Sequence, residues 1–330
     1  MSFRIRGFFL DKIETRFQQA AGMSTRRHFF TVLTPTYNRA GTLPRVYQSL
    51  QAQTFQDFEW VVVDDGSTDT TRELVLAWQQ QAAFPIRYFW QPNQHKKTAF
   101  NHGVREANGA LLVALDSDDA LDMNALDAMA LAWNGIPPED RDKYVAVTGL
   151  CARPDGRIVG DMFPRDPLDV TALDMTFRYH VGGEKFGCMR TDILRRFPFP
   201  EDLPGFVPES LVWHAIARAG YLTRFVNQVF RVYHDSADSL SEQGRTSAAK
   251  HALGLWLLAR DTVVDCLPWF RYQPAEFIKA AARYTRFGLH LAARGGRPAG
   301  YPLKGLGART LVALTWPIGA VLYLRDRARG

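Results

Sequence analysis

Three carboxylates crowd into the five residues Leu115-Asp116-Ser117-Asp118-Asp119, directly after the apolar run Ala110 to Leu115. Carboxylates gathered at the end of such a run repel one another and resist burial, so a positive species between them is the economical arrangement. Mg²⁺ or Mn²⁺ meets that need, because a hard cation held by one or two carboxylates keeps coordination positions for substrate phosphates. An isolated acidic pair is more commonly a solvated loop or a helix cap. This one has company, since Asp64-Asp65-Gly66-Ser67-Thr68-Asp69 ends an earlier apolar run. There Asp65 can accept a hydrogen bond from a base N–H or a sugar hydroxyl, whereas Gly66 and Asp69 read as a tight turn and a helix cap.

The elements that must position these loops follow from hydrophobic periodicity. Residues 29–34, 58–63, 86–90 and 110–115 are short apolar, β-branched or aromatic runs that predict buried strands. Between them Leu43, Val46, Tyr47 and Leu50 recur at helical spacing, as do Leu74, Val75 and Trp78, and 98–107 predicts a further helix. Strand alternating with helix implies a mainly parallel sheet covered on both faces, with ligands outside the carboxyl ends of its strands. Thr36, Asn38, Asp64, Asp65 and Asp116 to Asp119 all stand at such ends. Beyond them, 153–169 reads as an irregular connection, 211–219 as a helix, 225–232 as a strand and 251–290 as helical.

Three segments in order, TVLTPTYNR (31–39), SLQAQTFQDFEWVVVDDGSTDTT (49–71) and NHGVREANGALLVALDSDDAL (101–121), resemble the inverting glycosyltransferases of family 2, which have the GT-A fold. The resemblance is close over 29–122 and weaker to about 240. It implies an N-terminal extension at 1–28, a catalytic domain at 29–245 with a donor-binding half (29–122) and an acceptor half (123–245), and a basic helical tail at 246–330. It further implies that Pro35, Thr36, Tyr37 and Arg39 border the nucleotide, that Asp65 recognises the base, and that Asp116 and Ser117 lie along the donor. Asp118 would hold the metal, Lys96 stands where relatives carry a basic residue near the donor, and His234 resembles a histidine that completes the metal site in some relatives. Relatives carry an acidic pair at a helix start, with a Trp four residues after its second member. Here Pro208-Glu209-Ser210-Leu211-Val212-Trp213 puts Glu209 at that second position, as the base that takes the acceptor proton. His214 carries less weight. Processive members have a QxxRW element, whereas Gln228 to Val232 gives QxxRV and reads as strand sequence.

The reaction expected is transfer of a sugar from a nucleotide-sugar donor, UDP-linked by this reading, to a polysaccharide or lipid-linked acceptor. Two rivals are a nucleotidyltransferase, which should show a Gly-rich basic signature at the first strand, and a nucleotide-sugar-binding module without turnover. No GxxxxGK[ST], HExxH or strand-following GxGxxG occurs. Cys151, Cys188 and Cys266 are odd in number and far apart, which fits a reducing compartment, and the apolar run at Phe8 to Leu10 is too short for a signal peptide. The net charge of +6 is carried by the tail, where residues 251–330 hold 12 Lys and Arg against 4 Asp and Glu. Residues 310–324 carry no charge, are interrupted by Pro317 and fall short of the roughly 20 residues of a span. The tail is therefore expected to lie on a membrane surface, making the protein cytoplasmic and peripheral on the inner face of the cell membrane, with no nucleic-acid partner; the alternative is a helix packed on the catalytic domain or a dimer contact. Residues 1–22 read either as an added arm, amphipathic and basic at Arg4 and Arg6, or as a product of start-site choice before Met23.

Overall fold

The computed structural model describes residues 28–234, 251–296, 298 and 300–329. The arm at 1–22 and the boundary expected at 245/246 lie outside these residues.

Strand β1 (His28–Thr36) is followed by helix α1 (Leu43–Gln51), β2 (Phe58–Asp64), α2 (Thr71–Gln79), β3 (Ile86–Trp90), α3 (Lys96–Glu106) and β4 (Gly109–Ala114). These strands pair in the parallel order β3-β2-β1-β4. Side chains alternate along a strand, and each strand here is apolar on both sides. Phe30, Val32, Trp60 and Val62 enter a core with Leu43, Val46 and Leu50 of α1 and Val75 of α2. Leu33, Val61 and Val63 enter a second core with Ala99 and Val104 of α3. Two covered faces explain why these strands read as unbroken apolar runs. Their carboxyl ends finish together, because Thr36 lies opposite Asp64 and Leu33 opposite Ala114 in the sheet register.

Past β4 the sheet becomes mixed. It continues through the short β5 (Ala120–Leu121), α4 (Ala125–Asn134), β6 (Tyr144–Ala152), β7 (Leu168–Val170), α5 (Ala172–Phe177), β8 (Lys185–Arg190), α6 (Thr191–Arg196), α7 (Ser210–Arg218) and β9 (Leu222–Val232). Strand β8 runs antiparallel to both β4 and β6, and β9 runs parallel to β6. The parallel arrangement expected from the sequence thus holds for the first four strands, and the remaining five complete a nine-stranded mixed sheet. The connection at 153–169 is largely irregular, giving way only at its end to β7.

The region 251–290 is two helices, α8 (Ala252–Val264) and α9 (Pro274–Ala292), separated by a 3₁₀ turn at Leu267–Arg271. Proline at the first position of α9 suits its fixed φ and missing N–H. Helix α7 is fastened to α8 by charge: His214 Nδ1 lies 2.7 Å from Asp261 Oδ2, and Arg218 Nη2 lies 2.9 Å from Asp261 Oδ1. Burial raises the Asp261 carboxyl, but His214 and Arg218 overcome it and hold the group below its ordinary value.

The tail forms one helix, α10 (Leu306–Arg329), which continues through Pro317. It packs along α9. A Cβ on Gly319 would stand 2.6 Å from the Ala282 carbonyl oxygen, so only glycine permits this approach. Asp326 accepts from Arg286 at 2.6 Å and lies 2.9 Å from His290 Nε2.

Candidate active site

The first loop of the site is built by β1 and β2. Asp65 donates its backbone N–H to the Thr36 carbonyl at 2.8 Å, which holds the two strand ends together. The Asp65 side chain is buried, and its Oδ1 accepts from Gln91 Nε2 at 2.8 Å and from Gln94 N at 2.9 Å. The carboxylate is thereby fixed with both of those bonds on one oxygen. Its neighbour Asp64 is occupied structurally, accepting from Ser67 N at 2.7 Å and from Tyr88 Oη at 2.6 Å. Gly66, at φ +86°, turns the chain under Asn93, where a Cβ would stand 2.9 Å from a backbone nitrogen. Asp69 accepts from Thr71 N at 3.1 Å at the start of α2 and from Ala40 N at 3.0 Å, so it both caps a helix and joins the two loops.

Of the residues expected beside the nucleotide, Thr36 is bonded to Asp65 through its carbonyl. Thr36 is buried, and its hydroxyl oxygen has no hydrogen-bond partner among the described residues. Tyr37 is half exposed. Arg39 donates its N–H to Thr71 Oγ1 at 3.2 Å and adds positive charge that lowers the pKa of Asp116.

The acidic loop is held by its backbone. Thr42 Oγ1 donates to the Ser117 carbonyl at 2.9 Å, and Arg45 Nη1 donates to the Asp118 carbonyl at 2.6 Å, both from the start of α1. Strand β5, which follows this loop, pairs antiparallel with the end of β9. That pairing brings His234 alongside, its backbone N–H donating to Asp119 Oδ1 at 3.1 Å.

Lys96, the first residue of α3, joins the two halves of the site. Its Nζ lies 2.6 Å from Asp116 Oδ1 and 3.4 Å from Glu209 Oε1, where Glu209 immediately precedes α7. Burial works against the ammonium, yet Asp116 and Glu209 outweigh it and hold its pKa above the ordinary lysine value. Burial likewise raises Asp116, but Lys96, followed by Arg231 and Arg39, overcomes it and keeps the carboxylate ionised. Glu209 is about half exposed and lines a cavity of about 660 Å³ together with Pro35, Lys96, Asp116, Glu184 and Trp213. The arrangement offers a fixed carboxylate at one end, an acidic loop in the middle and an open carboxylate facing a cavity.

Two residues here had no assigned role in the sequence reading. Asp119 is buried and ion-paired with Arg231 at 3.2 Å. Burial raises its pKa to about 6, against the lowering effects of Arg231 and the His234 N–H. Arg231 is buried in turn, reaches Glu184 at 3.1 Å and lies over the rings of Phe186 and Tyr233. The available signal was a third carboxylate in a loop where a metal needs only one or two.

The donor set of the acidic loop suits a hard divalent cation, being carboxylate oxygens, with His234 following the end of β9 and held to the loop by its backbone N–H. Three convergent ligand atoms are found among the described residues at His214, Asp261 and Cys266 instead, within 4.8 Å of one another. There Arg218 already neutralises the carboxylate and donates to Cys266 Sγ at 3.3 Å, so that cluster is a structural tie.

The architecture is that of the GT-A glycosyltransferases. Staphylococcus aureus TarS residues 1–349 in complex with UDP-GlcNAc superposes with a TM-score of 0.60 at 18% identity, covering 90% of this chain and 92% of that one. Mannosyltransferase PcManGT from Pyrobaculum calidifontis, in complex with GDP-Man and Mn²⁺, gives 0.54 at 21% identity over 92% and 89%. The profile of Glycosyl transferase family 2 matches residues 31–139. Sequence relatives are glycosyltransferases as well. A GalNAc(5)-diNAcBac-PP-undecaprenol beta-1,3-glucosyltransferase of Campylobacter jejuni is 27% identical over 237 residues, covering 70% of this chain and 72% of the relative. The validoxylamine A glucosyltransferase of Streptomyces hygroscopicus subsp. jinggangensis is 40% identical over 140 residues, which is 41% of this chain and 32% of the relative. A Nostoc glycosyltransferase is 43% identical over 89 residues, and the chain spans 28% of its length.

Proposed function

We propose that this chain is an inverting glycosyltransferase that moves a sugar from a nucleotide-sugar donor, UDP-linked, to a polysaccharide or lipid-linked acceptor. The observation that carries the proposal is the convergence of Asp116, Lys96 and Glu209 on one cavity from three separate parts of the chain. Asp65 is the base-recognising group, because one oxygen is locked by Gln91 and Gln94 while the carboxylate remains able to accept a further N–H. Pro35, Thr36, Tyr37 and Arg39 flank the nucleotide in this reading, with Tyr37 half exposed at the mouth of the site. Asp116 and Ser117 run along the donor, and Lys96 places positive charge where a diphosphate would accumulate negative charge. Asp118, with His234 from the adjoining strand end, would hold Mn²⁺ or Mg²⁺, which supplies charge stabilisation to the departing nucleoside diphosphate.

Glu209 takes the proton of the acceptor hydroxyl. Its half-exposed position at the cavity is suited to meeting a solvent-borne or membrane-borne acceptor, and Lys96 Nζ lies 3.4 Å from its Oε1. The acceptor class draws support from the Campylobacter relative, whose name specifies an undecaprenol-linked substrate. A cytoplasmic, peripheral location on the inner face of the membrane draws support from α10, which exposes Leu314, Trp316, Ile318 and Val321 together with Arg309, Arg325 and Arg327.

The test is release of nucleoside diphosphate from a panel of nucleotide sugars in Mn²⁺ buffer. Release is expected with at least one UDP-sugar, falling to background when EDTA removes the metal and returning on resupply. Binding of UDP without release from any donor, across glycan and polyprenyl-phosphate acceptors, would instead describe a binding module without turnover. Incorporation of nucleotide into an acceptor would describe a nucleotidyltransferase.

A further inference from the structure

Helix α10 is apolar on both of its sides. On one, Ala308, Val312, Thr315 and Gly319 are buried at spacings of three and four, the side that packs along α9. On the other, Leu306, Leu314, Trp316, Ile318, Val321 and Leu324 are each more than half exposed. Large apolar side chains scattered singly over a surface need no explanation, but six along one helix do. An open groove beside the helix extends the patch: Leu267, Pro268 and Phe270 face Leu306, Leu311 and Leu314 across it.

The charges around this patch have one sign. Between Leu267 and Arg329 the sequence holds 11 Lys and Arg against 2 Asp and Glu. Both acids are already matched, Glu276 by Lys279 at 2.7 Å and Asp326 by Arg286 at 2.6 Å. Lys304 and Arg309 are exposed at the start of the helix, and Arg325 and Arg327 at its end.

We propose that this face of α10, with the adjoining groove, docks on an anionic membrane, the helix lying along the surface in the headgroup layer. Exposed apolar side chains enter the boundary with the acyl chains while the flanking cations meet acidic headgroups. Crossing is disfavoured by the packing, since one side of α10, through Ala308, Val312, Thr315, Gly319 and the Asp326 ion pairs, is committed to its neighbours, and α9 exposes Lys279 and Arg283. A second copy is the poorer occupant, because two such faces would bring two basic rims together. The inference rests on the peripheral location proposed above and is independent of the transfer chemistry.

Flotation of the full chain with phosphatidylcholine vesicles containing about one third phosphatidylglycerol tests it, at about 50 mM and about 500 mM salt. The unaltered chain is expected to float at low salt and largely to remain behind at high salt. Leu314→Glu with Val321→Glu, and separately Arg325→Glu with Arg327→Glu, should each reduce the floated fraction about tenfold, with melting temperature and UDP binding unchanged. The charge-reversal pair keeps the test decisive if the apolar pair misfolds. Failure of the unaltered chain to float overturns the proposal, as does undiminished flotation of either folded variant. Retention on vesicles through alkaline carbonate overturns the surface orientation in favour of a span. Loss of a dimer in Leu314→Glu with Val321→Glu, without vesicle binding by the parent, assigns the face to a second copy. Loss of UDP binding by the unaltered chain would strike the donor-site reading and leave docking standing.

Discussion

Glu209→Gln is expected to lower the turnover number by about 10²–10⁴-fold, the range a positioned general base supplies, while UDP and metal binding stay near those of the unaltered chain. The amide keeps the shape of the side chain and can still accept from Lys96, but it cannot take the acceptor proton. Because Glu209 is about half exposed at the start of α7 and packs no core, the substitution should leave the melting temperature unchanged. Single-turnover kinetics with calorimetry separates the two roles. A variant that loses UDP binding but keeps more than about a tenth of its transfer rate would make Glu209 a structural residue.

Asp118→Ala is expected to reduce Mn²⁺-dependent transfer by about 10³-fold or more. A metal contributes several kcal/mol of charge stabilisation to a departing diphosphate, and each 1.36 kcal/mol corresponds to about a tenfold change in rate. The loop itself should persist, because its anchors from Thr42 and Arg45 reach the backbone carbonyls of Ser117 and Asp118 and not the lost carboxylate. Measuring transfer over a Mn²⁺ titration decides the matter. Activity within about tenfold of the unaltered chain at saturating metal removes Asp118 from the site.

Much of the donor half was legible because β1, β2 and β4 are covered on both faces, so each appears in sequence as a compact apolar run ending in polar residues. Strand β8 carries no such signal. It reads Lys185-Phe186-Gly187-Cys188-Met189-Arg190, with only Phe186 and Cys188 contributing buried apolar side chains, and its place between β4 and β6 comes from pairing partners far away in sequence. Helix α4, just past the acidic loop, and strand β6, which is almost wholly buried and apolar, carry no polar cluster of their own and had no counterpart in the sequence reading. The meeting of Lys96 with Glu209, 113 positions apart, is a product of the fold and has no local signature.

Two local rules were overridden by packing. Pro317 removes a backbone donor and would ordinarily break a helix, yet α10 runs on through it, held to α9 by the Gly319 approach and the Asp326 pairs. The acidic loop, read as a simple cation site, also contains an internal counter-ion. Arg231 neutralises Asp119 from β9, so the third carboxylate secures the loop to the sheet.

The central claim, direct displacement at the sugar with Glu209 as base, is tested most directly by the anomeric configuration of the first-formed product. An α-linked UDP-sugar found active in the donor panel is incubated with an acceptor and Mn²⁺, and the anomeric proton of the new glycoside is followed by NMR from the earliest time points. A β-linked product is predicted. An α-linked product, or free sugar as the sole product in the presence of every acceptor, would contradict the account.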